Sequence, residues 1–163
     1  MRICRLLIAS LLLGCSQPTS YGYVGDQAPD YAAPTPAGKS VSLAELRGNV
    51  VLLNIWATWC IPCRKELPEL QQLHERYSQQ GLRVVGVSVD DGSADRAVDQ
   101  FIRNFRLTYT ILRDPAETVS HKFAIPGVPA SFLIDRNGKV VWRMTGPFTA
   151  GDTILQNALR ASL

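Results

Sequence analysis

The sequence predicts an α/β fold in which helices flank a mixed central sheet. Continuous apolar runs, typical of strands buried on both faces, alternate with segments whose apolar residues recur every three or four positions. Near the carboxyl end, two apolar runs flank Asn137-Gly138, which predicts a hairpin with a two-residue turn. With 163 residues, of which 46% are hydrophobic and 19% charged, the chain is long enough for one domain with a substantial core.

The first half of the domain predicts one buried strand and one long helix. The run NVVLLNIWA at 49–57 is apolar throughout, as in a central strand. A helix is expected at about 62–78, because its apolar residues form one stripe: Leu67, Leu70, Leu73 and Tyr77. Pro62 suits the first helical turn, and Pro68 is expected to bend the helix.

The second half continues the alternation and ends in the hairpin. The predicted elements are a strand at 82–90, a helix at 94–105, a short strand at 109–112, a helix at 115–123, the hairpin at 130–144 and a helix at about 149–159. This order predicts parallel strands joined by right-handed crossovers, with the hairpin at one edge of the sheet. Functional groups in such sheets collect beyond the carboxyl ends of the parallel strands.

The amino terminus resembles the signal peptide of a bacterial lipoprotein. A basic start and an apolar run too short to span a bilayer lead to Leu12-Leu13-Gly14-Cys15, which is similar to a lipobox. We therefore expect a signal peptide at 1–14, lipid on Cys15, a tether at 15–24 and a domain at 25–163. The alternative is an ordinary secretory signal in which Cys15 is incidental. Either kind of signal predicts export.

The charge of the mature chain argues against nucleic-acid binding. The formal net charge of the whole sequence is +3, but Arg2 and Arg5 lie in the segment expected to be removed. The remaining surface is close to neutral, whereas proteins that bind nucleic acid carry a basic patch.

Cys60 and Cys63 form a Cys-x-x-Cys pair where the first strand gives way to the first helix. A helix amino terminus offers unpaired N–H groups and a positive dipole end, both of which favour thiolate over thiol. We expect Cys60 to be the exposed nucleophile and Cys63, one turn further in, to resolve the mixed disulfide. Arg64 and Lys65 either add positive potential or are ordinary solvated charges.

Two other uses of the cysteine pair fit the sequence less well. A structural zinc site needs about four ligands, and the two histidines, His74 and His121, are isolated candidates that we expect on helix surfaces. No metal is therefore expected. A purely structural disulfide more often joins distant segments, because so short a loop constrains the unfolded chain little.

These motifs resemble the TlpA/ResA-type branch of thioredoxin-like thiol-disulfide oxidoreductases, which are membrane-tethered proteins of the bacterial cell envelope. The resemblance is carried by 28–70, which includes WATWCIPC, by VVGVSVDD at 84–91, and by IPGVPASFLIDRNGKVV at 125–141. It spans nearly all of the domain after the tether. It implies a thioredoxin-like fold in which 92–112 supplies an inserted helix and strand.

The resemblance also implies roles for two residues beyond the cysteines. The Val128-Pro129 bond is expected to be cis and to face the cysteines, leaving the backbone of Val128 to pair with an extended substrate. Glu66, in a Cys-x-x-Cys-x-x-Glu pattern, is expected to exchange protons with the cysteines, and the alternative is a solvent-facing acid. Plain thioredoxins place a buried aspartate where this chain has Asn54, which cannot take that proton.

An apolar surface is expected around the exposed sulfur, where a protein partner would dock. Trp56 is the one neighbouring aromatic that we assign instead to the core. The expected substrate-binding residues are Trp59, Ile61, Pro62, Gly127 and Val128.

The direction of electron flow is inferred from the residues between the cysteines. Ile61-Pro62 resembles the Gly-Pro pair of reducing thioredoxins, so we expect a reductase of protein disulfides that needs no cofactor besides its own disulfide. The resemblance implies a membrane electron-donor protein of the thiol-disulfide interchange type, a location on the periplasmic side of a membrane, and clients such as apocytochrome c, copper-site proteins or misoxidised envelope proteins.

Two alternatives come from other functional classes. A metallochaperone would hold Cu(I) between Cys60 and Cys63, although no methionine or histidine lies close by in sequence. A thiol peroxidase is the second alternative, but the Pro-x-x-x-Thr-x-x-Cys pattern of peroxiredoxins is absent, with Ala57 where the threonine would fall.

Overall fold

The computed structural model describes residues 22–163. The expected signal peptide, Cys15 and most of the tether therefore lie outside the described residues. Within 22–163, no helix combines the length and the apolar character that crossing a membrane requires.

The described chain contains seven strands and four α-helices. The strands are β1 (Ala32–Pro34), β2 (Ser40–Ser42), β3 (Val50–Trp56), β4 (Leu82–Ser88), β5 (Thr110–Arg113), β6 (Ala130–Ile134) and β7 (Val140–Thr145). The helices are α1 (Ile61–Tyr77), α2 (Asp95–Asn104), α3 (Thr118–Lys122) and α4 (Thr153–Ser162). Single 3-10 turns lie at Ala44–Leu46, Ser78–Gln80 and Gly92–Ala94.

Five of these strands form the central sheet, in the order β5-β4-β3-β6-β7. Strands β3, β4 and β5 are parallel, whereas β6 runs antiparallel to β3 and β7 antiparallel to β6. All seven residues of β3 are buried, as its unbroken apolar run predicts for the middle strand of a sheet covered on both faces. The predicted α/β class and mixed sheet are confirmed.

The inserted segment expected at 92–112 is present as α2 and the edge strand β5. It covers the end of the sheet next to the cysteines, since Phe101 of α2 stacks on Trp56 at a centroid distance of 6.0 Å. Trp56 is fully buried, which confirms its assignment to the core.

Two features of the fold differ from the sequence predictions. The two-stranded β1-β2 ribbon was not predicted, because three residues per strand carry too little periodicity to reveal it. The hairpin is confirmed, but a two-residue turn is wrong. The turn holds three residues, 136–138, because the Asp135 carboxylate accepts from the N–H groups of Asn137 and Lys139 and closes a wider loop. Gly138 takes a left-handed φ of +79°.

The register of the sheet brings two distant segments to one end. Ile55, near the carboxyl end of β3, pairs with Ala130, the first residue of β6. The chain leaving β3 toward the cysteines and the chain arriving at β6 from Pro129 therefore meet at the same edge. This meeting point is the candidate site.

A glycine in β4 tests how tightly side chains pack on one face of the sheet. A Cβ added at Gly86 would lie 3.1 Å from atoms of Trp56, Tyr109 and Ile111, all of which are buried. We expect Gly86→Ala to lower the free energy of unfolding by about 1–2 kcal/mol because these buried neighbours must shift by a few tenths of an ångström to admit the new methyl group. Urea denaturation measures it. Gly92→Ala is the matched control, since nothing lies within 4 Å of its added Cβ, and an equal effect of the two changes would contradict the prediction.

Candidate active site

The two sulfurs are joined in a disulfide at the amino terminus of α1. Cys60 is the N-cap residue, with extended backbone angles (φ −81°, ψ 105°), and its Sγ accepts a hydrogen bond from the backbone N–H of Cys63 at 3.2 Å. Pro62 lies in the first turn, where a missing N–H costs nothing. The helix terminus thus directs a backbone donor at the first sulfur.

The expectation that Cys60 is exposed is wrong for this oxidised state. Its exposed fraction is 4%, against 1% for Cys63, so both are buried and Cys60 is only slightly the more accessible. The physical reason is the cap itself, because the sulfur folds back over the first turn of α1 instead of pointing outward.

The residues beside Cys60 form the exposed apolar surface that was expected. Trp59 is 66% exposed and Ile61 is 71% exposed, values far above those of large apolar residues in the core. Pro62 and Gly127 are also exposed, and Val128 is half-buried.

The loop before β6 lies at the same end of the sheet as the cysteines. The Val128-Pro129 peptide bond is cis, as the resemblance implied. Pro129 is buried, its ring nitrogen carries no hydrogen to donate, and its carbonyl accepts from the backbone N–H of Gly146 at 2.9 Å.

The loop between β3 and Cys60 is held by a residue that sequence reasoning missed. The buried Asp90 carboxylate accepts from the backbone N–H of Thr58, at 3.0 and 3.1 Å, and from its hydroxyl at 2.6 Å. The Ser88 hydroxyl donates to the same carboxylate at 2.9 Å. The sequence signal that could have identified Asp90 was its position as a polar residue just after an apolar strand. These bonds fix the loop that presents Cys60.

Arg64 supports this loop from the other side. Its Nη2 donates to the Thr58 carbonyl oxygen at 3.1 Å, and its guanidinium lies 5.1 Å from the centroid of the Phe101 ring. Arg64 is therefore tied to the cysteine loop and is not merely a solvated charge.

Glu66 is buried in the core, with 1% of its surface exposed, so it is not a solvent-facing acid. It lies three residues after Cys63 and thus on the same face of α1. Its Oε1 accepts from Asn54 Nδ2 at 3.0 Å and from Ser131 Oγ at 2.9 Å. Burial raises the pKa of Glu66 to about 8, although the Ser131 hydrogen bond opposes that rise. Near neutral pH this carboxyl can both hold and release a proton.

Asn54 and Ser131 complete a polar triad inside the core. The two residues face each other across β3 and β6, and Asn54 Nδ2 donates to Ser131 Oγ at 2.9 Å. Ser131 was missed by sequence reasoning, although a hydroxyl in an otherwise apolar strand was a usable signal. Asn54 therefore orients Glu66, since an amide has no proton-accepting role of its own here.

The two histidines lie in different environments. His121 is exposed on α3, as predicted. His74 lies on α1 and is partly exposed, in agreement with the predicted helix surface, and its ring packs edge-on against Tyr109 at a centroid distance of 6.1 Å. Helix periodicity alone could not predict this aromatic contact with Tyr109.

Comparisons with known proteins agree with this geometry. A family model described as the AhpC/TSA family matches residues 24–143. The thiol-disulfide oxidoreductase ResA of Geobacillus thermodenitrificans (strain NG80-2) is 37% identical over 129 residues, covering 79% of this chain and 73% of that protein.

Solved structures share the fold. A candidate thiol:disulfide interchange protein DsbE from Chlorobium tepidum matches with a TM-score of 0.78 and 36% identity, covering 86% of this chain and 97% of that one. A thiol:disulfide interchange protein of the thioredoxin family from Chlorobium tepidum TLS matches with a TM-score of 0.73 and 27% identity, covering 86% and 97%. The thioredoxin-like fold is thereby confirmed.

The raised pKa of Glu66 predicts how stability depends on pH. The folded state holds the Glu66 proton up to about pH 8, whereas the unfolded carboxyl releases it near its ordinary pKa of 4.5. Because the pKa of Glu66 is raised in the folded state, the protonated carboxyl contributes its full stabilisation of the fold below the unfolded pKa. That contribution is lost as the pH rises through the folded pKa.

We therefore expect oxidised wild type to lose a few kcal/mol of stability relative to oxidised Glu66→Gln between pH 5 and pH 8. Gln keeps an acceptor for Asn54 and Ser131 but carries no titrating proton. Urea denaturation at both pH values measures the difference. A difference that is the same at pH 5 and pH 8 would contradict the raised pKa.

Proposed function

Because the chain belongs to the AhpC/TSA family and is a thiol-disulfide oxidoreductase, we propose that it is an exported, lipid-anchored reductase of protein disulfides. Cys60 is the nucleophile and Cys63 the resolving cysteine. The observation that supports these roles best is the position of the pair. Only Cys60 caps the helix, accepts its N–H, and lies between the exposed side chains of Trp59 and Ile61.

The reaction begins with the reduced pair. The helix terminus and the Cys63 N–H stabilise negative charge on Cys60 Sγ, so Cys60 ionises more readily than an ordinary thiol. The Cys60 thiolate attacks one sulfur of a client disulfide. A bond forms between Cys60 and that sulfur, the client S–S bond breaks, and the second client sulfur leaves as a thiolate that takes up a proton.

Resolution needs Cys63 as a thiolate. Glu66, one turn further along the same face of α1, accepts the Cys63 proton. Cys63 then attacks Cys60 Sγ, the Cys60–Cys63 disulfide forms, and the client sulfur is released reduced. Two electrons pass to the client and the pair becomes oxidised, so no cofactor beyond the disulfide takes part.

The client docks on the apolar surface around Cys60. Trp59 and Ile61 contact its side chains, and the chain at Gly127 and Val128 pairs with its extended backbone. Pro129 has no N–H to compete for that pairing, and Pro62 shapes the helix end beneath it. These features favour, as substrate, an unfolded or extended protein segment bearing a disulfide over a small-molecule disulfide.

The cell envelope is the proposed location, on the periplasmic side of a membrane. The signal-like amino terminus and the lipobox-like sequence before Cys15 support it. A reductase in an oxidising compartment must be re-reduced, so its second partner is a membrane electron-donor protein of the thiol-disulfide interchange type. Clients are proteins whose cysteines must be reduced there, such as an apocytochrome c.

Trapping tests the roles of the two cysteines. With Cys63→Ala, mixed disulfides through Cys60 cannot be resolved, so covalent complexes with clients and the donor are expected to accumulate in envelope extracts. Nonreducing electrophoresis followed by mass spectrometry identifies them. Cys63→Ala combined with Cys60→Ser is the control and should trap nothing. Equal trapping by Cys60→Ala alone would reverse the assigned roles.

Membrane attachment is tested separately at Cys15. Wild type is expected to incorporate radiolabelled palmitate and to sediment with membranes, whereas Cys15→Ser should do neither, because the modified sulfur is gone. Cys4→Ser is the matched control and should behave as wild type. Unlabelled wild type would contradict the lipid anchor while leaving the reductase activity untouched.

A further inference from the structure

Unpartnered polar atoms concentrate in one part of the core. Six buried side-chain atoms in the described part of the chain lack a hydrogen-bond partner, and only Arg143 Nη1 lies elsewhere. The other five are Asn54 Oδ1, Trp56 Nε1, Glu66 Oε2, His74 Nδ1 and Tyr109 OH. Buried polar groups in folded proteins are almost always paired, with protein or with ordered water. A concentration of unpaired atoms therefore indicates a site for water.

Contacts place the residues that carry these five atoms in one region of the core. Asn54 is bonded to Glu66 and pairs in register with Gly86 of β4. Gly86 has no side chain, and the position of its missing Cβ is 3.1 Å from both Trp56 Nε1 and a ring carbon of Tyr109. Glu66 is also close enough to Tyr109 to raise the pKa of its hydroxyl, second to the effect of burial. The region thus runs from Asn54 to Tyr109.

The same region follows one face of α1 toward the surface. Cys63, Glu66, Leu70 and His74 are spaced by three or four residues, so they share a face. Gln71 exchanges two hydrogen bonds with Thr108, at 2.8 and 2.9 Å, which holds the neighbouring Tyr109 against this helix. The Tyr109 ring then contacts His74. His74 is the one member of the series that is partly exposed.

We propose that Tyr109 and His74, with ordered water bound among the unpartnered atoms, form the route by which Glu66 exchanges its proton with solvent. The inference rests on the proposed role of Glu66 in resolution. It answers a problem that role creates, because a carboxyl sealed in the core cannot pass its proton directly to bulk water. Tyr109 and His74 are positioning residues, since neither touches the reacting sulfurs.

Each transfer conserves protons and charge. Glu66 receives the Cys63 proton and passes one from Oε2 to the bound water and the Tyr109 oxygen. Tyr109 passes its own hydroxyl proton through bound water to His74 Nδ1 and ends neutral, since these two atoms are not bonded directly to each other. The imidazole then releases a proton from its other nitrogen to solvent. The imidazole is then neutral and carries its proton on Nδ1. When the donor reduces the pair and Cys63 takes up a proton again, the same transfers run in reverse and every group returns to its starting state.

The charges near the route suit a neutral relay. Burial lowers the pKa of His74, Glu75 opposes that effect and Arg83 adds to it. A neutral imidazole can both accept and donate. Around Glu66 the facing groups are the uncharged Asn54, Ser131 and Tyr109. Burial raises the pKa of Tyr109, so its hydroxyl stays protonated between transfers.

Stopped-flow kinetics separate the two chemical steps. One equivalent of the aromatic disulfide 5,5′-dithiobis(2-nitrobenzoate) is mixed with the reduced full chain carrying Cys4→Ser and Cys15→Ser, so that only the active pair reacts. The first coloured thiolate reports attack by Cys60, and the second reports resolution by Cys63. The second phase is first-order and can be followed across pH.

Tyr109→Phe is expected to slow the second phase about tenfold and to leave the first phase unchanged. Combined with Glu66→Gln, it should add no further slowing, because both changes interrupt one route. Tyr77→Phe is the matched control, since Tyr77 lies on α1, the helix that carries Glu66 and His74. Its hydroxyl donates to Gln156 Oε1 and lies outside the route. It should match the parent protein in both phases.

His74→Ala tests the surface end. It should slow the second phase by a similar factor, and added imidazole should restore the rate, which a purely structural defect would not allow. An unchanged second phase in Tyr109→Phe, slowing that adds to that of Glu66→Gln, or failure of imidazole to restore His74→Ala would each overturn the route. Absence of a second phase in the parent protein would instead overturn the proposed roles of the cysteines.

Discussion

The junction between β3 and α1 is the constraint on which the rest of the structure depends. A strand buried along its whole length ends at Trp56, and a helix begins at Ile61 with Cys60 as its cap. The backbone N–H of Cys63 then points at the Cys60 sulfur. Because the strand cannot shift without exposing apolar surface, the helix end and its sulfur are held in place by the hydrophobic core.

A buried acid below that junction links stability to chemistry. Glu66 is kept in the core by Asn54 and Ser131, which come from two strands on either side of the antiparallel pairing. Burial makes the charged carboxylate costly, which raises the pKa of Glu66 into the range where proton exchange is useful. The buried carboxyl therefore lowers the stability of the fold at higher pH, and it places a proton acceptor on the face of α1 that carries Cys63.

The remaining parts of the site come from loops at the same sheet edge. Asp90 and Arg64 hold Thr58 from opposite sides, and Pro129 closes the edge where β6 begins. Exposed Trp59 and Ile61 are thus presented by a rigid support and not by a free loop. Such an arrangement suits a partner that must be oriented while a bond between two proteins forms and breaks.

The sequence alone determined the order of the elements from β3 onward, the mixed sheet, the helix that starts at the cysteines and the identity of the reactive pair, because apolar periodicity and a Cys-x-x-Cys spacing are local signals. Only the tertiary structure revealed that Glu66 contacts Ser131, that Asp90 holds Thr58, and that His74 packs on Tyr109. These pairs are far apart in the chain. Their contacts depend on strand register and helix rotation, which no local pattern specifies.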